Sequence, residues 1–295
     1  MELGDSFGPG AAFADTHRGP EHLRTIDPVE APIDVSIVIP CFNEADNCDN
    51  IAASLGPVVR DMARTSIVEV VFVDDGSRDA TGPGLAALCE AQTSHNTTWR
   101  VVTHARNRGL GAAIRTGLAA ARGAAIVTTD CDATYRFEEI PRILARLGPG
   151  VDMVTASQYH PEGAVANVPA HRLLLSRGSS WLYRRIVGAN LWTYTSLFRA
   201  YRRPVIEQIT FESNGFLAGT ELLVKAHLAG FTIAELPTTL YGREIGTSKA
   251  KLLRTIGAHL RFLSDVALGR LGDSHARQPV AAGRLATPAS SPRSK

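Results

Sequence analysis

The chain has 295 residues, 44% of them hydrophobic, and a formal net charge of +2. That is enough apolar material for one large core or two small ones, with Gly and Pro counts ordinary for a globular enzyme. The small net charge and the lack of a dense Lys/Arg run argue against a nucleic-acid partner.

Residues 1–33 carry Gly, Pro, Ala and charge without a sustained period and read as a mobile tail. Residues 272–295, ending "AAGRLATPASSPRSK", read the same way. Between the tails short β-branched runs alternate with helical patterns, and no internal repeat is visible. "VSIVIP" (35–40) and "VEVVFVDD" (68–75) predict buried strands, and the polar segment after the first opens a helix through "IAASLGPVV". "RVVTHA" (100–105) predicts a third strand, "GAAIRTGLAAARG" (111–123) an Ala-rich helix closed by Gly123, and "AAIVTTD" (124–130) a fourth strand. This order predicts an α/β fold with a mainly parallel central sheet flanked by helices.

Four cysteines, Cys41, Cys48, Cys89 and Cys131, lack metal-ligand spacing, and the chain shows no basic and apolar secretory start. A reducing cytoplasm is the expected setting. The longest apolar runs are strand-sized, below the ~20 residues that span a bilayer.

Ligands bind outside the carboxyl ends of parallel strands. Polar clusters follow each strand in turn: Asn43 and Glu44, Asp74 and Asp75, Arg106 and Asn107, Asp130 and Asp132. Asp and Asn at such turns also serve simply to cap the next helix. Four clusters converging on one edge favour a site over capping alone.

"DCDAT" (130–134) carries two chemistries. Haloacid dehalogenase-like phosphatases share this spelling, with Asp130 as nucleophile, Asp132 as acid/base and Thr134 in support. In those enzymes the motif closes the first strand and a later acidic pair completes a magnesium site, whereas here three strands precede it and "GDSHAR" offers no second carboxylate. The other chemistry is a cation clamp. Asp130 and Asp132 would hold Mg²⁺ or Mn²⁺ bridging a nucleotide diphosphate, because hard cations take oxygen ligands and share them with phosphate.

From about Asp34 to about Leu263 the chain resembles the family 2 glycosyltransferases with a GT-A fold, and within them the dolichyl- and polyprenyl-phosphate sugar synthases. The motifs run in order: "VSIVIPCFNEADN", "VVFVDDGSRDAT", "NRGLGAAIRTG", "DCDAT", "SQYHPEG", "HRLLLSRGSSWLYR", "YTSLFRAYRR" and "GREIGTSK". The resemblance implies a GT-A domain over 34–248, a nucleotide-sugar donor and a polyprenyl-phosphate acceptor. It implies a donor site drawn from Pro40, Asn43, Glu44, Asp74, Asp75, Asn107 and Asp130, with Asp75 on the base or ribose, and a metal at Asp130, Asp132 and Thr134. Arg172 and Ser176 would meet the acceptor phosphate, and Arg243 would close over a phosphate with Lys249 nearby, since a planar guanidinium holds two phosphate oxygens at once. Gly109 and Gly111 are not a dinucleotide fingerprint, because Ile114 replaces the third glycine.

The mechanism implied is inverting attack by an already ionised lipid phosphate, which needs no strong base. Asp132 and Arg243 would then act on the departing diphosphate. Glu221 stands where relatives with hydroxyl acceptors carry a catalytic acid, so it reads either as a base or as an organiser of its helix start. Gln158, Thr193 and Leu197 replace an Arg, an Asp and a Gly common among relatives, and Thr134 sits where some use Gln. A sugar-nucleotide binding protein without turnover is the rival of another class. Finally, residues 249–271 predict an amphipathic helix in which Leu252, Ile256, Leu260, Leu263 and Ala267 form a stripe beside Lys249, Lys251, Arg254, Arg261 and Arg270. The stripe suits either an anionic bilayer surface or the protein itself.

Overall fold

The computed structural model describes residues 32–242 and 252–271. The terminal segments expected as tails therefore lie almost wholly outside the described residues. Ile33 does not, and its carbonyl accepts Ala124 N at 3.1 Å, so the domain begins at or before this residue.

Strands β1 (Val35–Cys41) and β2 (Val68–Asp74) are buried at every position, as their unbroken apolar runs require of central parallel strands. The chain builds outward through β3 (Thr97–Thr103), then crosses back to lay β4 (Ala125–Thr128) against the other side of β1. With β5 (Met153–Ser157), β7 (Arg199–Arg202) and β8 (Ile233–Pro237), the sheet order is β3-β2-β1-β4-β7-β5-β8. Only β7 runs antiparallel, to both β4 and β5. β6 (Ala164–Ala166) and β9 (Thr239–Tyr241) form a separate parallel pair.

Side chains of β1 alternate between two cores. Ile37 and Ile39 face α1 (Cys48–Met62), α2 (Thr81–Gln92) and α4 (Ile140–Arg146) through Ile51, Leu55, Leu85 and Ile143. Val38 faces α3 (Leu110–Ala120), α5 (Ala170–Val187), α6 (Arg203–Gln208) and α7 (Ala218–Leu228) through Ile114, Leu118, Tyr183, Val205 and Leu222. Period-two alternation thus makes a three-layer sandwich.

The helix expected to close at Gly123 ends at Ala120, because Gly123 has a different task. Its N–H donates to Ser36 Oγ at 2.6 Å, and a Cβ there would collide with the Ser36 backbone. Helix α8 (Leu252–Ala267) packs on Tyr183 of α5, with Phe262 and Leu263 buried and Ala258 and Val266 partly so. The expected stripe is rotated: Leu263 is inside but Leu260 is 56% exposed and Ala267 is exposed. A 3.6-residue period permits neighbouring stripes, and the contact with Tyr183 selects one.

Beneath the sheet's far end, fully buried Glu69 accepts Ser36 Oγ at 2.5 Å, the Arg122 amide, and Arg100 at 3.2 Å. Burial alone would raise its carboxyl, but Ser36, the Arg122 amide and Arg100 outweigh this and hold it below its ordinary 4.5. Glu69→Gln should therefore cost about 2 kcal/mol near neutral pH. Because the folded pKa is the lower one, this difference is full above pH 4.5 and closes as pH falls through the folded value. Urea unfolding of both proteins at pH 7 and at a series of values below pH 4.5 measures it, and a gap that does not narrow as the pH falls below 4.5 would contradict the assignment.

Candidate active site

The crossing from β3 to β4 makes a topological switch point beside β1, where open α/β sheets hold ligands. The turns after β1 and β2 are braced against each other there. Asn43 sits at φ 51°, a conformation Asn tolerates, and its N–H donates to Ser77 Oγ at 2.9 Å while its Oδ1 accepts Arg78 N at 2.8 Å. Glu44 N donates to Thr81 Oγ1 at 2.7 Å, Glu44 Oε2 accepts Asn47 Nδ2 at 2.6 Å, and Asp74 Oδ1 accepts Ser77 N at 2.9 Å. Pro40 is buried within β1 opposite Val73, beyond the last β1–β4 pair at Val38 and Thr128. A residue without an N–H costs no ladder bond to β4 at that point.

Asp75 holds the next loop. Its Oδ1 meets His104 Nδ1 at 2.6 Å and Arg108 N at 2.9 Å, and its Oδ2 accepts Gly109 N at 2.8 Å. His104 is fixed from behind by Thr116 Oγ1 at 2.9 Å. Asn107 is exposed on this loop. The glycines expected not to form a dinucleotide fingerprint serve the close passage of another segment: a Cβ at Gly109 would strike Asn214 O, and one at Gly111 would strike Ser213 O. Gly111 N donates to that Asn214 carbonyl at 2.9 Å.

Asp130 and Asp132 follow β4 in a tight turn whose Ala133 lies at φ 52°. Thr134 N donates to Asp132 Oδ1 at 3.2 Å, and Thr134 O accepts Tyr241 N at 2.9 Å, so the turn is tied to the end of β9. Among the described residues no group of three or more His, Cys, Asp or Glu could hold a metal. Two carboxylates that leave the remaining coordination to phosphate and water are the donor set magnesium and manganese accept, so the residues fit such a cation.

Tyr135 links this turn to the opposite side of the cleft. It is fully buried, and its hydroxyl donates to Gln158 Oε1 at 2.7 Å just past β5. On α5, Arg172 is exposed and Ser176 Oγ meets Thr195 Oγ1 at 2.7 Å. Thr193, which replaces an acid, is buried against Ser157 Oγ at 2.9 Å, and Leu197 O accepts Thr128 Oγ1 at 2.7 Å. Arg243 and Lys249 lie outside the described residues.

Glu221 is tied to its surroundings on both carboxylate oxygens. Its oxygens accept Glu212 N and Ser213 N at 3.0 Å each, and Lys225 Nζ lies 2.7 Å away. Burial works to raise the carboxyl, but Lys225 and these amides hold it below the usual carboxylate range, which makes it a poor base at neutral pH.

Sequence reasoning passed over Arg199. It is fully buried, with Nε on Thr155 Oγ1 at 3.2 Å, Nη2 on Tyr194 O at 2.7 Å, and Nη1 on Gly219 O. It opposes Thr128 in the β4–β7 register, two residues before Asp130. The signal was present in "LFRAYRR": an arginine at an inward position of an apolar alternation.

The fold and the site together define a GT-A glycosyltransferase. In a comparison of solved structures, glucosyl-3-phosphoglycerate synthase from Mycobacterium tuberculosis, in complex with Mn²⁺, UDP and glucosyl-3-phosphoglycerate, superposes with a TM-score of 0.58 at 23% identity, over 83% of this chain and 82% of that one. The glycosyl transferase family 2 profile matches residues 36–210. Polyprenol monophosphomannose synthase of Mycolicibacterium smegmatis is 32% identical, over 78% of this chain and 84% of its own length. Dolichol-phosphate mannosyltransferase of Pyrococcus furiosus is 29% identical over 78% of this chain, which spans 62% of it. The chain belongs to glycosyl transferase family 2.

Substituting Glu221→Gln should lower stability by about 2 kcal/mol yet leave kcat within ~5-fold, as expected where no proton transfer depends on it. Thermal melts and steady-state rates on the same preparation test this. A kcat loss of ~10²-fold or more with a normal melt would make Glu221 the base.

Proposed function

We propose that the protein transfers a hexose from a GDP- or UDP-sugar to a polyprenyl phosphate, with inversion and with a divalent cation at Asp130 and Asp132. The observation that carries this reading is the side-by-side placement of the Asp130–Asp132 turn and the braced Asn43 and Asp74 turns at the switch point, with Glu221 already engaged elsewhere. The bound cation would supply charge neutralisation to the leaving diphosphate. Asp130 and Asp132 would hold it, and Thr134 N keeps Asp132 oriented. A phosphate acceptor arrives ionised, so positioning by Ser176 and Arg172 replaces general-base work. A soluble hydroxyl acceptor would need a base, and Glu221's depressed carboxyl argues against that second reading.

A membrane surface fits the same acceptor. No helix among the described residues is long and apolar enough to cross a bilayer. Yet α5 exposes Leu174 at 75% and Trp181 at 60%, beside Arg177 and Arg185, α8 exposes Leu260 beside Arg254 and Arg261, and the turn after α8 exposes Leu268 and Arg270. Apolar anchors among cations suit an anionic interface.

Purified protein with Mn²⁺ or Mg²⁺ and a panel of GDP- and UDP-sugars should yield lipid-linked sugar, detected by mass spectrometry, only when polyprenyl phosphate is present. Asp132→Asn should cut that product by ~10³-fold or more. Release of GDP or UDP without lipid product would move the acceptor to a hydroxyl compound. Separately, the double substitution Leu174→Ser with Trp181→Ser should weaken sedimentation with anionic phospholipid vesicles by at least ~10-fold. Equal sedimentation would remove α5 from the membrane contact.

A further inference from the structure

We propose that Tyr159 donates its hydroxyl to the phosphate of the acceptor, as a specificity-determining contact on the side of the cleft opposite the donor turns. This rests on the lipid-phosphate reading above. Tyr159 stands two positions past β5, and because β4 and β5 both run antiparallel to β7, its position is on the same sheet edge as Asp130 and Asp132. Its backbone N–H is held by Thr193 Oγ1 at 3.4 Å, and the Arg177 guanidinium of α5 lies 5.6 Å from its ring centroid.

The hydroxyl itself is shielded from solvent and has no hydrogen-bond partner among the described residues. A buried, unpaired hydroxyl destabilises the fold, and phenylalanine would fill the same space without that cost. The one other buried polar side-chain atom in that condition among the described residues, Arg100 Nε, belongs to the Glu69 cluster away from this edge. The unused donor therefore points to a ligand. A phenol donor with a guanidinium at its ring and the Ser176 hydroxyl on the same helix as that guanidinium is a combination suited to phosphate oxygens.

The test compares wild type with Tyr159→Phe, varying polyprenyl phosphate and the nucleotide sugar that wild type turns over in separate series, alongside thermal melts. The expected result is an acceptor KM raised ~10-fold or more, an unchanged donor KM, and a melting temperature equal to or above wild type. An unchanged acceptor KM in an active variant overturns the assignment while leaving the lipid-phosphate reading intact. A rise in donor KM alone overturns it too, by giving the hydroxyl to the donor sugar. A wild type that makes no lipid-linked product overturns the lipid-phosphate reading first and the role of Tyr159 with it.

Discussion

Everything at the site depends on one pairing, the parallel ladder of β1 with β4 from Val35–Ala125 to Val38–Thr128. These strands are separated by two complete strand–helix units, so the ladder closes a long loop and must be held by burial on both faces. Its result is that the turn holding Asp130 and Asp132 leaves the sheet next to the turn holding Asn43. Cys41 at the end of β1 and Cys131 in the turn after β4 are both buried in one apolar cluster, so the two turns share an apolar floor. Moving the ladder by one residue would turn each inward side chain outward and separate the carboxylates from the donor edge.

On the face of the sheet that carries α7 the protein keeps costly polar groups. Arg199 carries a fully buried guanidinium bonded to Thr155, Tyr194 and Gly219, none of them an acid, and burial pushes its pKa down. Removing charge from water without an ionic partner is unfavourable. What it secures is placement: Arg199 joins β5 to the segment that carries Thr195 and to the start of α7. Glu221 repeats the device on a smaller scale by gathering the 212–213 amides, and that segment in turn closes on Gly109 and Gly111. Side chains that read as reagents in a list of residues thus act as fasteners for the backbone that shapes the cleft.

Much of this was legible beforehand. Continuous apolar runs identified β1 and β2, and alternation of strand and helix identified the layered sheet, with the polar residue pairs following its strands on one edge. The misreadings share a cause. Gly123 looked like a helix stop because glycine often is one, yet Ser36, 87 residues away, requires it. The outward stripe on α8 was set by Tyr183, which no period within residues 249–271 encodes.

Local sequence therefore determined what depends on neighbours along the chain: which segments are strands or helices, which turns are polar, and which family the motifs belong to. Tertiary structure decided which of those polar groups remain available to a ligand. The physical reason is that a carboxylate or hydroxyl has few bonding directions, and whether they are filled depends on residues that only folding brings near. Asp75 and Tyr159 are both polar residues at strand ends on the same edge, and only the packing around them shows that Asp75 bonds His104 and two amides while the Tyr159 hydroxyl has no hydrogen-bond partner among the described residues.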